Sequence, residues 1–261
     1  MIREAAHRGA TIIATQELFH LPYFPQTKDT INFQYAEPIT GPTCAVPCDL
    51  ASELQVAIIA SLFEQRAPGI HHNTSILIDG TVAGNEPAAK IIGTYRKIHI
   101  PDDPGFYEKF HFTPGDMNWL TYPVSGIKVG MLIFWDQWFP KAARLVALNG
   151  AEIIFHTTAI AWSHKDSIKE RRRQLNAWLA VQRAHMLTNG VYVCAVNRIG
   201  VEGELEFWSS SFVADPGGEI IAQASLRDAQ IIVADCELSR ITTVRKNWPF
   251  LHDGESTPTK T

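Results

Sequence analysis

Lys128-Val129-Gly130-Met131-Leu132-Ile133-Phe134-Trp135-Asp136-Gln137-Trp138-Phe139-Pro140 leads from a short apolar run, through an aromatic turn, to a proline. Residues 128–133 have the length and composition of a buried strand. Pro140 suits the first turn of a helix, where its missing N–H would have had no partner and its φ is already helical. Gly150 stands just past the predicted helix end at Leu148. A second apolar run, residues 152–155, follows at once. Strand, helix and strand in that order predict sheets covered by helices, the α/β class.

The alternation extends both ways. Upstream, strands are predicted at 10–14, 56–62, 74–78 and 91–95, with a helix at 50–54. Downstream, strands are predicted at 191–196, 210–213, 219–222 and 230–234, with a helix at 167–187. In that helix Leu175, Trp178, Leu179, Gln182 and Met186 share one face and leave Arg171, Arg172 and Arg173 outside. Ile2-Arg3-Glu4-Ala5-Ala6-His7-Arg8-Gly9 reads as the close of a helix with Gly9 as its stop. Residues 79–87 form a loose connection. Residues 101–116 form a long loop whose Phe106, Tyr107, Phe110 and Phe112 predict that it folds over something. A single domain is expected over residues 1–251, followed by a divergent tail at 252–261.

With 261 residues, 46% of them hydrophobic and 19% charged, the chain can bury a full core and is not a disordered polymer. Its formal charge of −4, with neither sign gathered in a block, argues against a surface built for nucleic acid or membranes. No signal peptide or apolar run of membrane-spanning length is present, and four scattered cysteines make no disulfide framework, so a reduced, cytoplasmic protein is expected. Cys44, Cys48 and His71-His72 lack the further ligands a metal would need, and none is expected to bind.

Three groups stand at predicted strand ends, where α/β sheets present their sites: Glu17, Lys97 and the turn at 134–138. Taken alone, Arg96-Lys97 reads equally well as solvated charge. Together, Ala14-Thr15-Gln16-Glu17-Leu18-Phe19, Tyr95-Arg96-Lys97-Ile98-His99-Ile100-Pro101 and Phe134-Trp135-Asp136-Gln137-Trp138-Phe139-Pro140 resemble, in order and spacing, the catalytic segments of the nitrilase superfamily of carbon-nitrogen hydrolases. Within it they most resemble the N-carbamoylputrescine amidohydrolase branch. The resemblance continues through Asn197-Arg198-Ile199-Gly200 and Arg245-Lys246-Asn247-Trp248-Pro249 and covers about residues 2–251.

The resemblance implies an α-β-β-α sandwich. It also implies hydrolysis of a small N-carbamoyl amine to amine, CO2 and NH3 in polyamine biosynthesis, with no cofactor. Glu17 would be general base and then acid, Lys97 would supply charge to the tetrahedral intermediate, and Glu108 would orient both substrate and lysine. Trp135, Trp138, Thr158 and Ala159, with Trp162, match substrate-pocket positions. The nucleophilic cysteine of the family falls at Phe134, whose ring has no lone pair with which to attack a carbonyl.

Cys194 reads as a small buried hydrophobe and Thr157 and Thr158 have no adjacent base, so no substitute nucleophile is expected. Little or no activity is therefore predicted. The alternatives are a pseudoenzyme scaffold or partner subunit of active homologues, or the product of a decayed gene. The family begins with a strand and most of a helix before the segment matching Ile2. Roughly 25 residues, the first strand among them, are thus expected to be lacking. That would leave residues 12–14 uncovered on one flank. The resemblance also implies a homo-oligomer, but His252-Asp253-Gly254-Glu255-Ser256 replaces the family's intersubunit tail.

Overall fold

The computed structural model describes residues 1–81, 89–116 and 119–254. Residues 82–87 of the predicted loose connection and 255–261 of the predicted tail lie outside the described residues. The chain opens with α1 (Ile2–His7), β1 (Ile12–Ala14), α2 (Pro42–Leu54), β2 (Ala57–Ala67), β3 (Ile70–Asp79) and β4 (Lys90–Arg96). It continues through α3 (Glu108–His111), β5 (Thr121–Val124), β6 (Ile127–Ile133), α4 (Pro140–Leu148), β7 (Ile153–Thr158) and β8 (Ala161–Ser163). It closes with α5 (Ile168–Asn189), β9 (Tyr192–Asn197), β10 (Ile199–Glu202), β11 (Leu205–Trp208), β12 (Phe212–Ala214), β13 (Ile220–Gln223) and α6 (Ser239–Asn247).

One sheet runs β1-β2-β3-β4, with β1 parallel to β2. A second runs β13-β12-β9-β7-β6-β5, parallel where β7 meets β6 and β9. A small third sheet, β10-β11-β8, sits apart. Alternation along β2 and β3 divides their side chains between two faces. Ile59 and Leu77 join Met131, Ile133 and Phe155 between the two large sheets. Ile58, Ile76 and Ile78 meet Ala5 of α1 and Cys44 and Ala51 of α2 on the other side. Helices α4 and α5 cover the second sheet, giving an α/β fold of α-β-β-α layers. Gly130 lets α4 lie close to β6, since a Cβ there would fall 2.2 Å from Val146 Cγ1. No helix among the described residues is long and apolar enough to cross a membrane.

Most predicted strands form, with ends shifted by a few residues. The first helix does stop at Gly9, whose φ of 91° releases Ala10 N–H to the Ala5 carbonyl. Other expectations need correction. The helix predicted at 50–54 begins at Pro42, so Cys44 and Cys48 lie inside it and not before it. Arg171 is half-buried, paired with Glu206 and set 5.2 Å over the Trp162 ring, not outside. Strands β5, β8, β10 and β11 were not predicted; they are short, and Pro123, Glu202 and Glu206 interrupt their apolar pattern. Residues 230–234, predicted as a strand, make no ladder, because a strand exists only by pairing and neither large sheet extends to them.

Candidate active site

Glu17 follows β1, where the chain leaves the sheet. Its N–H donates to the Thr158 carbonyl at the end of β7 (3.4 Å). The buried Arg198 guanidinium donates to the carbonyls of Glu17, Leu18 and Leu21 (3.2, 2.9 and 2.8 Å). The first sheet's strand end is thereby tied to the second sheet. Lys97 stands one residue past β4 and Glu108 opens α3.

These three side chains, distant in sequence, meet with no exposure to solvent. Lys97 Nζ donates to Glu17 Oε1 (2.8 Å) and Glu108 Oε2 (2.6 Å). Asn73 Nδ2 donates to Glu17 Oε1 (2.6 Å), and Tyr23 Oη donates to Glu108 Oε1 (2.7 Å). Of the four oxygens of these two carboxylates, Glu17 Oε2 is left without a partner. Burial and the neighbouring Glu108 push the Glu17 carboxyl up to about 7, against the pull of Lys97. Burial disfavours the charge on Lys97, but Glu108 and Glu17 outweigh it and hold the ammonium above its usual range. One cation between two carboxylates leaves the negative charge only partly compensated, which adds to the burial that raises Glu17.

Phe134 completes the cluster. Its ring lies 4.7 Å from Lys97 Nζ, a cation–π contact, and packs beside Phe106 and Trp135 (centroids 5.8 and 5.5 Å). It is 1% exposed and its φ is +33°, an uncommon backbone state for a bulky residue. The turn that holds it is fixed from two sides. Asp136 accepts from Ile133 N–H (3.2 Å), His99 N–H (3.0 Å) and Tyr95 Oη (2.8 Å). Gln137 Oε1 accepts from Trp178 Nε1 (2.8 Å) and Gln182 Nε2 (2.7 Å) of α5.

Glu17, Lys97, Glu108 and Phe134 are brought together in one buried cluster. Trp135 adjoins Phe134 and faces Trp138 edge-on at 6.5 Å. Thr158 holds Glu17 through its carbonyl, and Ala159 is buried in the cluster that contains Leu18 and Tyr23. Trp162 packs instead on Trp208 (4.9 Å) and donates to the Arg171 carbonyl. No local pattern marks Asn73 and Tyr23, and Arg198 enters the sequence reading only as part of the segment at 197–200, without a role. Burial pushes the thiols of Cys44 and Cys194 up to about 12 and that of Cys236 to about 11, so none offers a ready thiolate. A cavity of about 940 Å³ reaches Thr15 and Gln16 but is not lined by Glu17, Lys97, Glu108 or Phe134.

Comparison with known proteins shows the family. A family model described as carbon-nitrogen hydrolase matches residues 1–246. An N-carbamoylputrescine amidase of Solanum tuberosum is 39% identical over 97% of this chain and 84% of its own length. A citrullinase of Francisella tularensis is 33% identical over 97% of this chain and 86% of its own. The crystal structure of a carbon-nitrogen hydrolase from Helicobacter pylori superposes with a TM-score of 0.91 at 40% identity, covering 97% of this chain and 87% of that one.

Proposed function

Since the chain belongs to the carbon-nitrogen hydrolase family, we propose that it derives from the branch acting on N-carbamoyl amines, N-carbamoylputrescine foremost, and that Phe134 leaves it with little or no turnover. The names of the similar amidases and citrullinase support the substrate class. In the reaction both C–N bonds to the carbonyl carbon break, the first by hydrolysis and the second as the resulting carbamate loses CO2, so that R–NH–CO–NH2 plus water becomes R–NH2, CO2 and NH3. Polyamine biosynthesis in the cytoplasm is the setting this substrate implies.

Each group's part follows from its bonds. Glu17 Oε2, the unpartnered oxygen, is free to take a proton from a nucleophile, and a carboxyl near pH 7 can return it to a leaving amine. Lys97, held charged by two carboxylates, would face the developing oxyanion. Glu108 and Tyr23 position the lysine. No group then remains to form the covalent bond. In an enzyme where nucleophile and base act as a unit, loss of the nucleophile costs on the order of a millionfold in kcat, as in subtilisin.

The observation that carries this proposal is the buried phenyl ring of Phe134 against the Lys97 ammonium. The intact pairing around Lys97 favours a retained scaffold or partner subunit of active homologues over a decayed product. Ammonia release from N-carbamoylputrescine is expected to stay at background for the native chain, to rise in Phe134→Cys, and to fall again in Phe134→Cys combined with Glu17→Gln. Turnover by the native chain that Glu17→Gln abolishes would overturn the proposal. An inert Phe134→Cys protein that still unfolds in one cooperative transition would show that Phe134 is not the block.

A further inference from the structure

Asn73 touches both Glu17 and Lys97, yet is itself neither charged nor a nucleophile. It lies in β3 and is fully buried. Its carbonyl accepts the Lys97 N–H (2.9 Å), and its Nδ2 donates to Glu17 Oε1 (2.6 Å). One residue of β3 thus sets the backbone of the lysine against the side chain of a glutamate 80 positions before it.

The direction of that amide is fixed from behind. Leu18 N–H donates to Ser61 Oγ (3.2 Å), which uses an acceptor lone pair of the hydroxyl. The Ser61 hydrogen is left to donate, and it goes to Asn73 Oδ1 (3.4 Å). With its oxygen so engaged, Asn73 turns its NH2 group to Glu17. A flipped amide would set an oxygen against the Glu17 carboxylate.

The two Glu17 oxygens are thereby made unequal. Oε1 receives two donors, Asn73 Nδ2 and Lys97 Nζ (2.8 Å), while Oε2 receives none. A proton on Oε1 would point at one donor or the other, so the carboxyl, when protonated, carries its proton on Oε2. The last torsion of a glutamate is broad and roughly two-fold, so nothing in the side chain itself distinguishes its oxygens. Nor does Lys97 suffice, because an ammonium with three rotatable donors can follow either oxygen. The planar amide of Asn73, held at both of its ends, supplies the direction.

We propose that Asn73 is a positioning residue, which fixes the Glu17 carboxyl so that Oε2 is the oxygen that takes and returns the proton, and which sets Lys97 in register with it. This rests on the acid–base part proposed for Glu17. The charged and titratable groups around Glu17 are Lys97 after β4, Glu108 of α3 with Tyr23 bonded to it, and Arg198, whose guanidinium meets the Glu17 carbonyl. A donor to the carboxylate favours its ionised form and opposes the effect of burial. Loss of the Asn73 amide therefore moves the ionisation of Glu17 to higher pH, a change that loss of packing alone does not produce.

The test uses the full chain with isotope-labelled glutamate carboxyls, the Glu17 resonance being identified by its loss in Glu17→Gln. Its titration midpoint is followed by NMR in the native chain, Asn73→Leu, Asn73→Ala and Ile78→Ala. Ile78 is buried against the α1 and α2 side of β3 and reports a loss of packing alone. Both Asn73 variants are expected to raise the midpoint, Asn73→Leu by about one pH unit, a tenfold weaker ionisation. Ile78→Ala is expected to lower the melting temperature and leave the midpoint in place. An unmoved midpoint in a folded Asn73 variant would overturn the proposal, as would an equal shift in Ile78→Ala. In the Phe134→Cys background, Asn73→Leu is expected to cut kcat for ammonia release by about tenfold or more with little change in KM, and to move the pH–rate profile upward by the same unit. A shifted midpoint with kcat unchanged would also overturn the proposal. An inert Phe134→Cys chain counts against the hydrolytic reading alone, and the midpoint in the otherwise native chain still upholds or overturns the part of Asn73.

Discussion

Phe134 carries two opposed effects in one side chain. Its ring fills space beside Phe106 and Trp135 and covers the Lys97 ammonium, yet its backbone sits at φ +33°. Strain of that kind costs on the order of 1 kcal/mol, while truncating a buried phenylalanine to alanine costs about 3–5 kcal/mol. Packing wins. Phe134→Ala is expected to lower stability by about 3–5 kcal/mol in urea unfolding, since alanine opens the cavity yet keeps the Cβ that strains this φ. Phe134→Cys is expected to lose stability in the same direction while gaining turnover.

Glu17 predicts a pH dependence of its own. Its folded pKa, about 7, is raised above the ordinary value of 4.5. A carboxyl raised by folding contributes stability that is fully present below its unfolded pKa and is lost as pH climbs through the folded value. The contribution should therefore decline between about pH 4.5 and 7, by up to about 3 kcal/mol. Glu17→Gln cannot titrate. The difference in unfolding free energy between the native chain and this variant should accordingly shift in favour of the variant from pH 5 to pH 8. A pH-independent difference would show that Glu17 is ionised throughout.

At the scale of elements, the site depends on how closely β6, its turn and α4 are held. Gly130 is the contact point, since any Cβ would meet Val146 Cγ1 at 2.2 Å. Overpacking of this order costs about 1–3 kcal/mol. Gly130→Ala is expected to lower the melting temperature, and Val146→Ala in the same chain to recover part of the loss by vacating the contested volume. The turn between β6 and α4 was recognisable from its order of apolar run, aromatics and proline. What anchors it was not. Tyr95 and His99 reach Asp136 from around β4, and Trp178 and Gln182 reach Gln137 from α5, four contacts that no run of neighbouring residues encodes.

Across the whole molecule, Arg198 links the two sheets at the site. It lies where β9 passes to β10, and its guanidinium donates to three carbonyls after β1 while pairing with Glu202. Removing it leaves buried carbonyls without donors and Glu202 without its cation. Arg198→Met is expected to cost about 3 kcal/mol or more. In the Phe134→Cys background it is also expected to lower kcat more than it raises KM, because Glu17 is displaced. A variant that melts as the parent does and keeps its kcat would rule out the linking role.

The α/β class, the order of most strands and helices, and the three segments that carry Glu17, Lys97 and Phe134 are legible in the linear chain. Those features rest on periodicity and end signals that neighbouring residues carry. The rest depends on long-range contacts. Lys97 is a buried bridge between carboxylates and not a solvated charge, because residues 80 positions before it and 11 after it close around it. Residues 230–234 are not a strand, because their composition cannot supply the partner that a ladder requires. Pairing and desolvation depend on groups far apart along the chain, and only the folded molecule brings those groups within reach.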